Sequence, residues 1–233
     1  MNPIARNWEE VRRRVAEAAE RSGRRPHEVE LVVVTKGRTP EEVAAALEAG
    51  VTDVGENRVQ EAGPKKEAVE TPARWHLVGG LQRNKAGRAV EIFDMVQSVD
   101  SLRLAEALSR RAATAGLTIE MLLQVNTAGA EYQGGVDPGD LPALAETAAT
   151  LEGLRVRGLM TIAAHSAEEE RVRACFRCLR DLGRRLPSSM TTLSMGMSGD
   201  YEMAIEEGAT MIRVGTAVFG PRRAAPAAPV REG

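Results

Sequence analysis

The chain has 233 residues, 43% of them hydrophobic, so it is long enough to bury the core of one large α/β domain. Its 31 basic and 33 acidic residues give a net charge of −2, and it has only two Trp, two Tyr and three Phe, which argues against a nucleic-acid partner. No segment approaches the roughly 20 apolar residues of a membrane span, and the first ten residues do not resemble a signal peptide, so we expect a cytoplasmic protein.

The first predicted elements are a helix, a strand and a second helix. Asn7 is a suitable N-cap residue for the first helix, which is expected to end near Gly23. The apolar run LVVVT at 31–35 then predicts a strand that is buried on both faces. Thr39 is expected to cap the second helix, and Gly50 follows the end of that helix.

Strands and helices alternate along the rest of the chain. Further strands are predicted at 52–55, 75–78, 95–98, 119–125, 156–160, 192–194 and 210–214. Helices are predicted between them at 57–69, 83–92, 101–115, 140–150, 167–186 and 200–207. This order favours a single (β/α)8 TIM-type barrel with an extra N-terminal helix over residues 1–223, with a doubly wound open sheet as the alternative. The Ala- and Pro-rich tail 224–233 is predicted to be disordered.

Lys36 directly follows the first predicted strand. In such barrels the reactive residues lie just past the C-terminal ends of the strands, so we expect the amine at the barrel mouth beside apolar walls. Burial there favours a neutral amine, which can attack a carbonyl, whereas a solvated lysine at a strand end is the alternative. The chain has only four lysines among 31 basic residues, which favours a use that requires an amine.

Two loops near the end of the sequence have residues suited to a phosphate. The first, LSMGMSGD, contains Ser194, Gly196 and Ser198 and precedes a predicted helix. Small residues let the backbone approach an anion, and hydroxyl groups donate hydrogen bonds to it. The second loop follows the eighth strand and contains Gly215 and Thr216. For the first loop, an ordinary glycine-bearing turn with Ser198 as a helix cap is the alternative.

Arg213 lies within the eighth predicted strand. An arginine inside a barrel needs a partner because burying an unpaired charge is costly. A ring nitrogen of a cofactor is one candidate partner, and an internal carboxylate is the other. Together with Lys36 on the first strand and the two loops, Arg213 indicates a site for a phosphorylated carbonyl compound.

The cysteines and histidines have simpler interpretations. Cys175 and Cys178 lie three apart in a helical segment and lack the two further ligands of a zinc site, so we expect packed, inert thiols and no metal. His76 is expected to be a packed histidine within a strand. His27 and His165 are expected at the surface.

Seven blocks of sequence carry a family resemblance. They are VTKG at 34–37, GENRVQE at 55–61, WHLVGGLQRNK at 75–85, SVDS at 98–101, RGLMTI at 157–162, LSMGMSGD at 193–200 and IRVGTAVFG at 212–220. In order and spacing they resemble the pyridoxal 5'-phosphate (PLP) homeostasis protein family of the YggS/PROSC type. Members of that family look like the barrel half of alanine racemase.

The resemblance implies that PLP is the cofactor and that it is bound covalently to Lys36 as an internal aldimine. It also implies that Arg213 faces the pyridine nitrogen and that Asn57 lies near the ring. A carboxylate at that nitrogen strengthens PLP as an electron sink, so an arginine there should leave the sink weak.

The resemblance further implies which residues surround the phosphate of PLP. Ser194, Gly215 and Thr216 are expected to hold it. Gly196 and Ser198 are expected to shape the loop around it.

The interpretation favours a PLP carrier or buffer over an enzyme. Racemases need a second acid/base on the opposite face of the substrate, which in alanine racemase is a tyrosine brought by a separate β-domain of a partner subunit. No such domain is expected here, and neither Tyr132 nor Tyr201 is an obvious replacement. We expect a monomer, with apo PLP-dependent enzymes as candidate partners. A PLP-dependent amino acid racemase or decarboxylase and a class I Schiff-base aldolase are the alternatives.

Overall fold

Eight parallel strands form the inner layer of a computed structural model, which describes residues 2–130 and 133–221. They are β1 (Glu30–Val34), β2 (Asp53–Glu56), β3 (Arg74–Leu77), β4 (Met95–Val99), β5 (Ile119–Gln124), β6 (Leu154–Met160), β7 (Thr192–Ser194) and β8 (Met211–Val214). Each strand pairs with the next, and β8 pairs with β1, so the sheet closes. The predicted (β/α)8 barrel is confirmed and the open-sheet alternative is wrong. Tyr132 and the tail 224–233 lie outside the described residues.

Helices surround the barrel and connect the strands. They are α1 (Pro3–Arg21), α2 (Pro40–Glu48), α3 (Val59–Ala68), α4 (Ala86–Ile92), α5 (Leu102–Thr114), α6 (Leu141–Ala149), α7 (Glu169–Gly183), α8 (Tyr201–Glu206) and α9 (Thr216–Phe219). Two short 3-10 turns lie at Pro26–Glu28 and Arg83–Lys85. None of these helices is long and apolar enough to cross a lipid bilayer.

The first helix begins earlier than predicted. Asn2 is its N-cap residue, because the Asn2 side chain accepts a hydrogen bond from the Ile4 amide and Pro3 occupies the first helical position. The predicted start at Asn7 is therefore wrong. Asn7 lies inside the helix, where its Nδ2 donates to the carbonyl oxygen of Val218 at 3.0 Å.

The extra N-terminal helix completes the outer ring. Helix α9, which follows the last strand, has only four residues, and α1 packs against α8, α9 and α2. The side chains of Trp8, Val11 and Val15 on α1 are buried against the barrel. Helix α1 thus occupies the place that a longer eighth helix would take.

The second helix begins as predicted. The Thr39 hydroxyl accepts a hydrogen bond from the Glu42 amide at 3.3 Å, and the Glu42 carboxylate accepts one from the Thr39 amide at 2.9 Å. This reciprocal capping box fixes the chain just after the Lys36 turn.

The barrel interior is apolar in one part and polar in another. An apolar cluster inside it consists of Val32, Met95, Leu122, Met160 and Met211. The buried polar side chains of His76, Gln97, Ser194 and Arg213 share the interior with this cluster. Since buried polar groups need hydrogen-bond partners, these side chains mark the part of the interior where a polar site can lie.

Candidate functional site

A cavity of about 340 Å³ lies at the C-terminal ends of the strands. This volume is at the lower end of the range, roughly 300–1,000 Å³, that small-molecule sites occupy. The described residues that line it are Val34, Lys36, Arg38, Asn57, Val78, Ile162, Met197, Ser198, Gly199, Arg213, Gly215 and Thr216. Six of the eight predicted site residues are therefore brought together, while Ser194 and Gly196 lie outside the lining.

A larger cavity, of about 820 Å³, lies at the opposite end of the barrel. It is bordered by the beginnings of β3 and β5 and by charged side chains such as Arg74, Glu120 and Arg155. None of the predicted site residues lines it. Since function in such barrels is concentrated at the C-terminal face, we assign the functional site to the smaller cavity.

Lys36 reaches this cavity from the loop after β1. Its side chain is exposed, so the predicted burial is wrong, although Val34, Val78 and Ile162 give the cavity the expected apolar walls. No hydrogen bond or ion pair within the described part of the chain involves its amine. The amine is therefore accessible to a carbonyl compound that enters the cavity.

A buried ion pair holds the turn that carries Lys36. Glu56 is fully buried at the end of β2, and its Oε1 accepts hydrogen bonds from Lys65 Nζ at 2.5 Å and from Thr35 Oγ1 at 2.6 Å. Lys65 Nζ also donates to the Thr35 carbonyl oxygen at 2.8 Å, and the Asn57 amide donates to Glu56 Oε2 at 3.2 Å. One ion pair thus fixes the residue before Lys36 and the backbone of Asn57. This ion pair was not predicted from the sequence, although an acidic residue that ends an apolar strand is a detectable signal.

Arg213 projects into the barrel and forms part of the cavity wall. Its side chain is 4% exposed, and its two Nη atoms donate to Ser194 Oγ at 2.6 Å and to the Thr161 carbonyl oxygen at 2.8 Å. No carboxylate among the described residues lies within ion-pair distance of it. Burial lowers the pKa of Arg213 to about 10, and the charge of Asp200 opposes this shift. The predicted internal carboxylate is therefore not a direct partner.

The position of Ser194 differs from its predicted place beside a phosphate. It is fully buried, and its hydroxyl lies between Arg213 and Gln97, to whose Oε1 it donates at 2.7 Å. This geometry does not bring Ser194 to the cavity, so it contradicts a direct contact with a phosphate. The hydroxyl instead accepts a hydrogen bond from Arg213 inside the barrel.

The two predicted phosphate loops are tied to each other. Ser198 Oγ accepts hydrogen bonds from the amides of Gly215 at 3.0 Å and Ala217 at 3.2 Å. Gly196 has a φ of +93°, and a Cβ there would lie 2.6 Å from the Ala204 Cβ. Only glycine fits this position without a shift of the helix that follows, as the predicted loop-shaping role requires.

Arg38 and Thr216 complete the rim of the cavity. Thr216 is exposed there and borders the cavity. Arg38 was not predicted. Its guanidinium lies 5.2 Å from the centre of the Phe219 ring and donates to the Gly220 carbonyl oxygen. It therefore links the Lys36 loop to the end of α9.

The remaining candidates lie where the sequence indicated. His76 is fully buried, with Nε2 2.9 Å from Asp53 Oδ1, which confirms a packed histidine. His27 and His165 are exposed. Cys175 is buried and Cys178 is partly buried on α7, where burial raises the pKa of the Cys178 thiol. Within residues 2–130 and 133–221, no group of three or more His, Cys, Asp or Glu could hold a metal ion.

Sequence comparisons identify relatives across almost the whole chain. Residues 2–223 match the family model described as "Alanine racemase, N-terminal domain". A pyridoxal phosphate homeostasis protein of Pseudomonas aeruginosa is 44% identical over 223 residues, which cover 95% of this chain and 97% of the relative. The protein of the same name from Escherichia coli K12 is 38% identical over 230 residues, covering 95% and 98%.

Solved structures agree with these relatives. PipY of Synechococcus elongatus PCC7942 with PLP bound is 40% identical and has a TM-score of 0.79, covering 88% of this chain and 100% of that chain. An unknown protein from Bifidobacterium adolescentis is 39% identical with a TM-score of 0.88, covering 93% and 94%. Histidine racemase from Leuconostoc mesenteroides has a TM-score of 0.75 and covers 94% of this chain and 57% of that chain. At 18% identity, this last likeness shows the fold alone.

Proposed function

The chain belongs to the family of pyridoxal phosphate homeostasis proteins, and on this basis we propose that it binds PLP and serves as a carrier or buffer of PLP in the cell. The observation that supports the proposal most directly is the pairing of two groups in one cavity. Lys36 offers an accessible amine, and Arg213 offers a buried cation without a neighbouring carboxylate. An aldehyde with a ring nitrogen and a phosphate satisfies both groups.

The residues of the cavity fit the separate parts of PLP. Lys36 would hold PLP through its aldehyde carbon, and Arg213 would donate a hydrogen bond to the pyridine nitrogen. The phosphate is held by the loops that contain Ser198, Gly215 and Thr216, which lie at the same end of the cavity. Bound PLP supplies a reactive imine and a conjugated ring. Asn57 borders the space for that ring.

A carrier accounts for the cavity better than an amino acid racemase or decarboxylase does. None of the described residues that line it is an Asp, Glu, His, Cys or Tyr. Racemisation requires a second acid/base opposite the lysine, and none is provided there. Tyr201 is 3% exposed and packs within the core, away from the lining. Arg213 also leaves the ring nitrogen unprotonated, which weakens carbanion stabilisation; racemases tolerate this, so the lack of a second acid/base in the described lining carries the distinction.

The covalent assignment is tested by reduction of the PLP-loaded protein. We expect a visible absorption band, and borohydride treatment followed by peptide mass mapping should place PLP on Lys36. Lys36→Ala should lose the covalent adduct, whereas Lys85→Ala, a matched lysine control at the same face of the barrel, should keep it. An adduct on another lysine, or a covalent adduct in Lys36→Ala, would show the assignment to be wrong. Absence of any visible band would favour the Schiff-base aldolase.

We propose further that the protein is a cytoplasmic monomer that delivers PLP to apo PLP-dependent enzymes. The exposed position of Lys36 supports exchange, because an incoming amine can reach the linkage. Transfer from loaded protein to an apo-enzyme, compared with free PLP at equal concentration, tests delivery. Equal rates would leave buffering as the function, and turnover of amino acids by the loaded protein would favour the racemase or decarboxylase.

A further inference from the structure

Five polar side chains form a continuous chain through the barrel interior. Arg213 Nη1 donates to Ser194 Oγ at 2.6 Å, and Ser194 Oγ donates to Gln97 Oε1 at 2.7 Å. Gln97 Nε2 lies 3.0 Å from His76 Nδ1, and His76 Nε2 lies 2.9 Å from Asp53 Oδ1. Ser194, Gln97 and His76 are fully buried. The chain therefore connects the cavity wall to the N-terminal end of β2.

The direction of each hydrogen bond follows from the chemistry of the partners. A guanidinium only donates, so the Ser194 oxygen accepts from Arg213 and its proton goes to Gln97 Oε1. The amide nitrogen of Gln97 must then donate to His76 Nδ1, which carries no proton. The remaining ring proton lies on Nε2 and is donated to the Asp53 carboxylate. All four bonds point from Arg213 to Asp53.

Asp53 supplies the negative end of this chain. Burial raises the pKa of Asp53, but hydrogen bonds from His76 and Thr52, together with the nearby charge of Arg74, hold the pKa below its ordinary value. Asp53 is thus ionised at neutral pH. A cation at one end and an anion at the other polarise every intervening bond in the same sense, which strengthens the bonds in a low-dielectric interior.

We propose that Gln97 and His76 are positioning residues for Arg213, which fix its guanidinium at the cavity wall and connect it to the charge of Asp53. This inference rests on the proposed function, since it assigns the purpose of the chain to PLP binding. With Arg213 held in this way, its free N–H groups present only donors to the cavity. The ring nitrogen of PLP must then be an unprotonated acceptor, and the guanidinium cannot turn towards the phosphate.

The first test removes the hydrogen bonds of Gln97, the middle residue of the five. Gln97→Met keeps the length of the side chain but removes both amide functions. We expect the absorption maximum of bound PLP to shift and the affinity for PLP to fall about tenfold, because Arg213 loses its fixed orientation. Asp53→Asn keeps an acceptor for His76 Nε2 but removes the charge, so it should shift the spectrum in the same direction by a smaller amount.

A matched control separates positioning from general destabilisation. Ser109 is a buried residue of α5 whose hydroxyl donates to the Glu152 carbonyl oxygen at 2.7 Å, away from the cavity. Ser109→Ala should lower thermal stability without changing the spectrum or the PLP affinity. If Gln97→Met and Asp53→Asn also keep the wild-type spectrum and affinity, the proposal is wrong.

A second readout needs no cofactor. The protein has three histidines, so nitrogen NMR spectroscopy can resolve the protonation of each ring. In the PLP-free protein we expect His76 to carry its proton on Nε2, and Gln97→Met to change that signal. A proton on Nδ1 would overturn the direction of the chain. Failure of the wild-type protein to bind PLP would instead contradict the proposed function and would leave the NMR result to decide the inference.

Discussion

The burial of Arg213 has a measurable cost in the PLP-free protein. A pKa lowered to about 10 by burial means that the folded state binds the guanidinium proton less tightly than the unfolded state does, although Arg213 stays protonated at neutral pH. Relative to the ordinary pKa of an arginine, this lowering corresponds to about 3 kcal/mol of destabilisation. Such a cost is typical of groups kept for a ligand rather than for stability.

We therefore expect Arg213→Met to stabilise the PLP-free protein by about 1–2 kcal/mol while weakening PLP binding at least about tenfold. Denaturant unfolding and PLP titration measure the two effects. Since the unfolded state keeps its proton to higher pH, the wild-type protein should recover stability as the pH rises above about 10, and the difference from the variant should narrow. Arg12→Met, on the exposed face of α1, should change neither quantity. A destabilised Arg213→Met variant would contradict this account.

For single residues, the sequence predicts some functional roles better than others. Lys36 and Arg213 were identified because a residue at or just past the end of a barrel strand faces the C-terminal mouth or the interior. Ser194 also ends a strand, but its hydroxyl is taken by Gln97 and Arg213. Whether a side chain at a strand end faces the cavity or is buried beneath it depends on side chains from other strands. No local pattern in the sequence indicates which of the two occurs.

The ends of β1 and β2 are held together by the Lys65–Glu56 ion pair, which belongs to the scale of whole elements. Lys65 comes from α3, so one side chain joins a helix to two strands. Removing one partner of a buried pair leaves an uncompensated charge, whereas replacing both removes it.

We expect Lys65→Met to destabilise the protein by about 3–5 kcal/mol in denaturant unfolding. The double variant Lys65→Met with Glu56→Leu should regain most of this stability. The double variant should not regain the PLP affinity that Lys65→Met loses, because the Thr35 carbonyl oxygen and the Asn57 amide remain without their partners. Full recovery of PLP affinity in the double variant would mean that the ion pair does not position the Lys36 turn.

Element boundaries were predictable where one local signal dominates. All eight strands begin and end within two residues of the predicted bounds, because buried parallel strands have short apolar runs between turn residues. The start of α1 was not predicted correctly, because both Asn2 and Asn7 suit a cap and the signal of Pro3, which favours Asn2, was not used. Helix α9 was missed because four residues show no periodicity.

At the scale of the whole molecule, helix α1 contacts the segment that follows β8 and contains the second predicted phosphate loop. Asn7 Nδ2 donates to Val218, two residues after Thr216, so α1 supports the last loop of the cavity. We expect Asn7→Ala to lower the free energy of unfolding by about 1 kcal/mol and to reduce PLP affinity by a factor of about two. Glu9→Ala, an exposed change on the same helix, should have neither effect. Unchanged PLP affinity in Asn7→Ala would separate α1 from the site.

The direct pairing of β1 with β8 has a consequence for synthesis on the ribosome. Lys36 emerges near the start of translation, but Arg213 and the loop at Gly215 emerge only after seven strands have been made. Until then β1 lacks one neighbour and the cavity lacks a wall. If Lys36 and Arg213 hold PLP as proposed, a nascent chain offers the amine without the groups that retain the cofactor, and we expect stable PLP binding only once the barrel has closed.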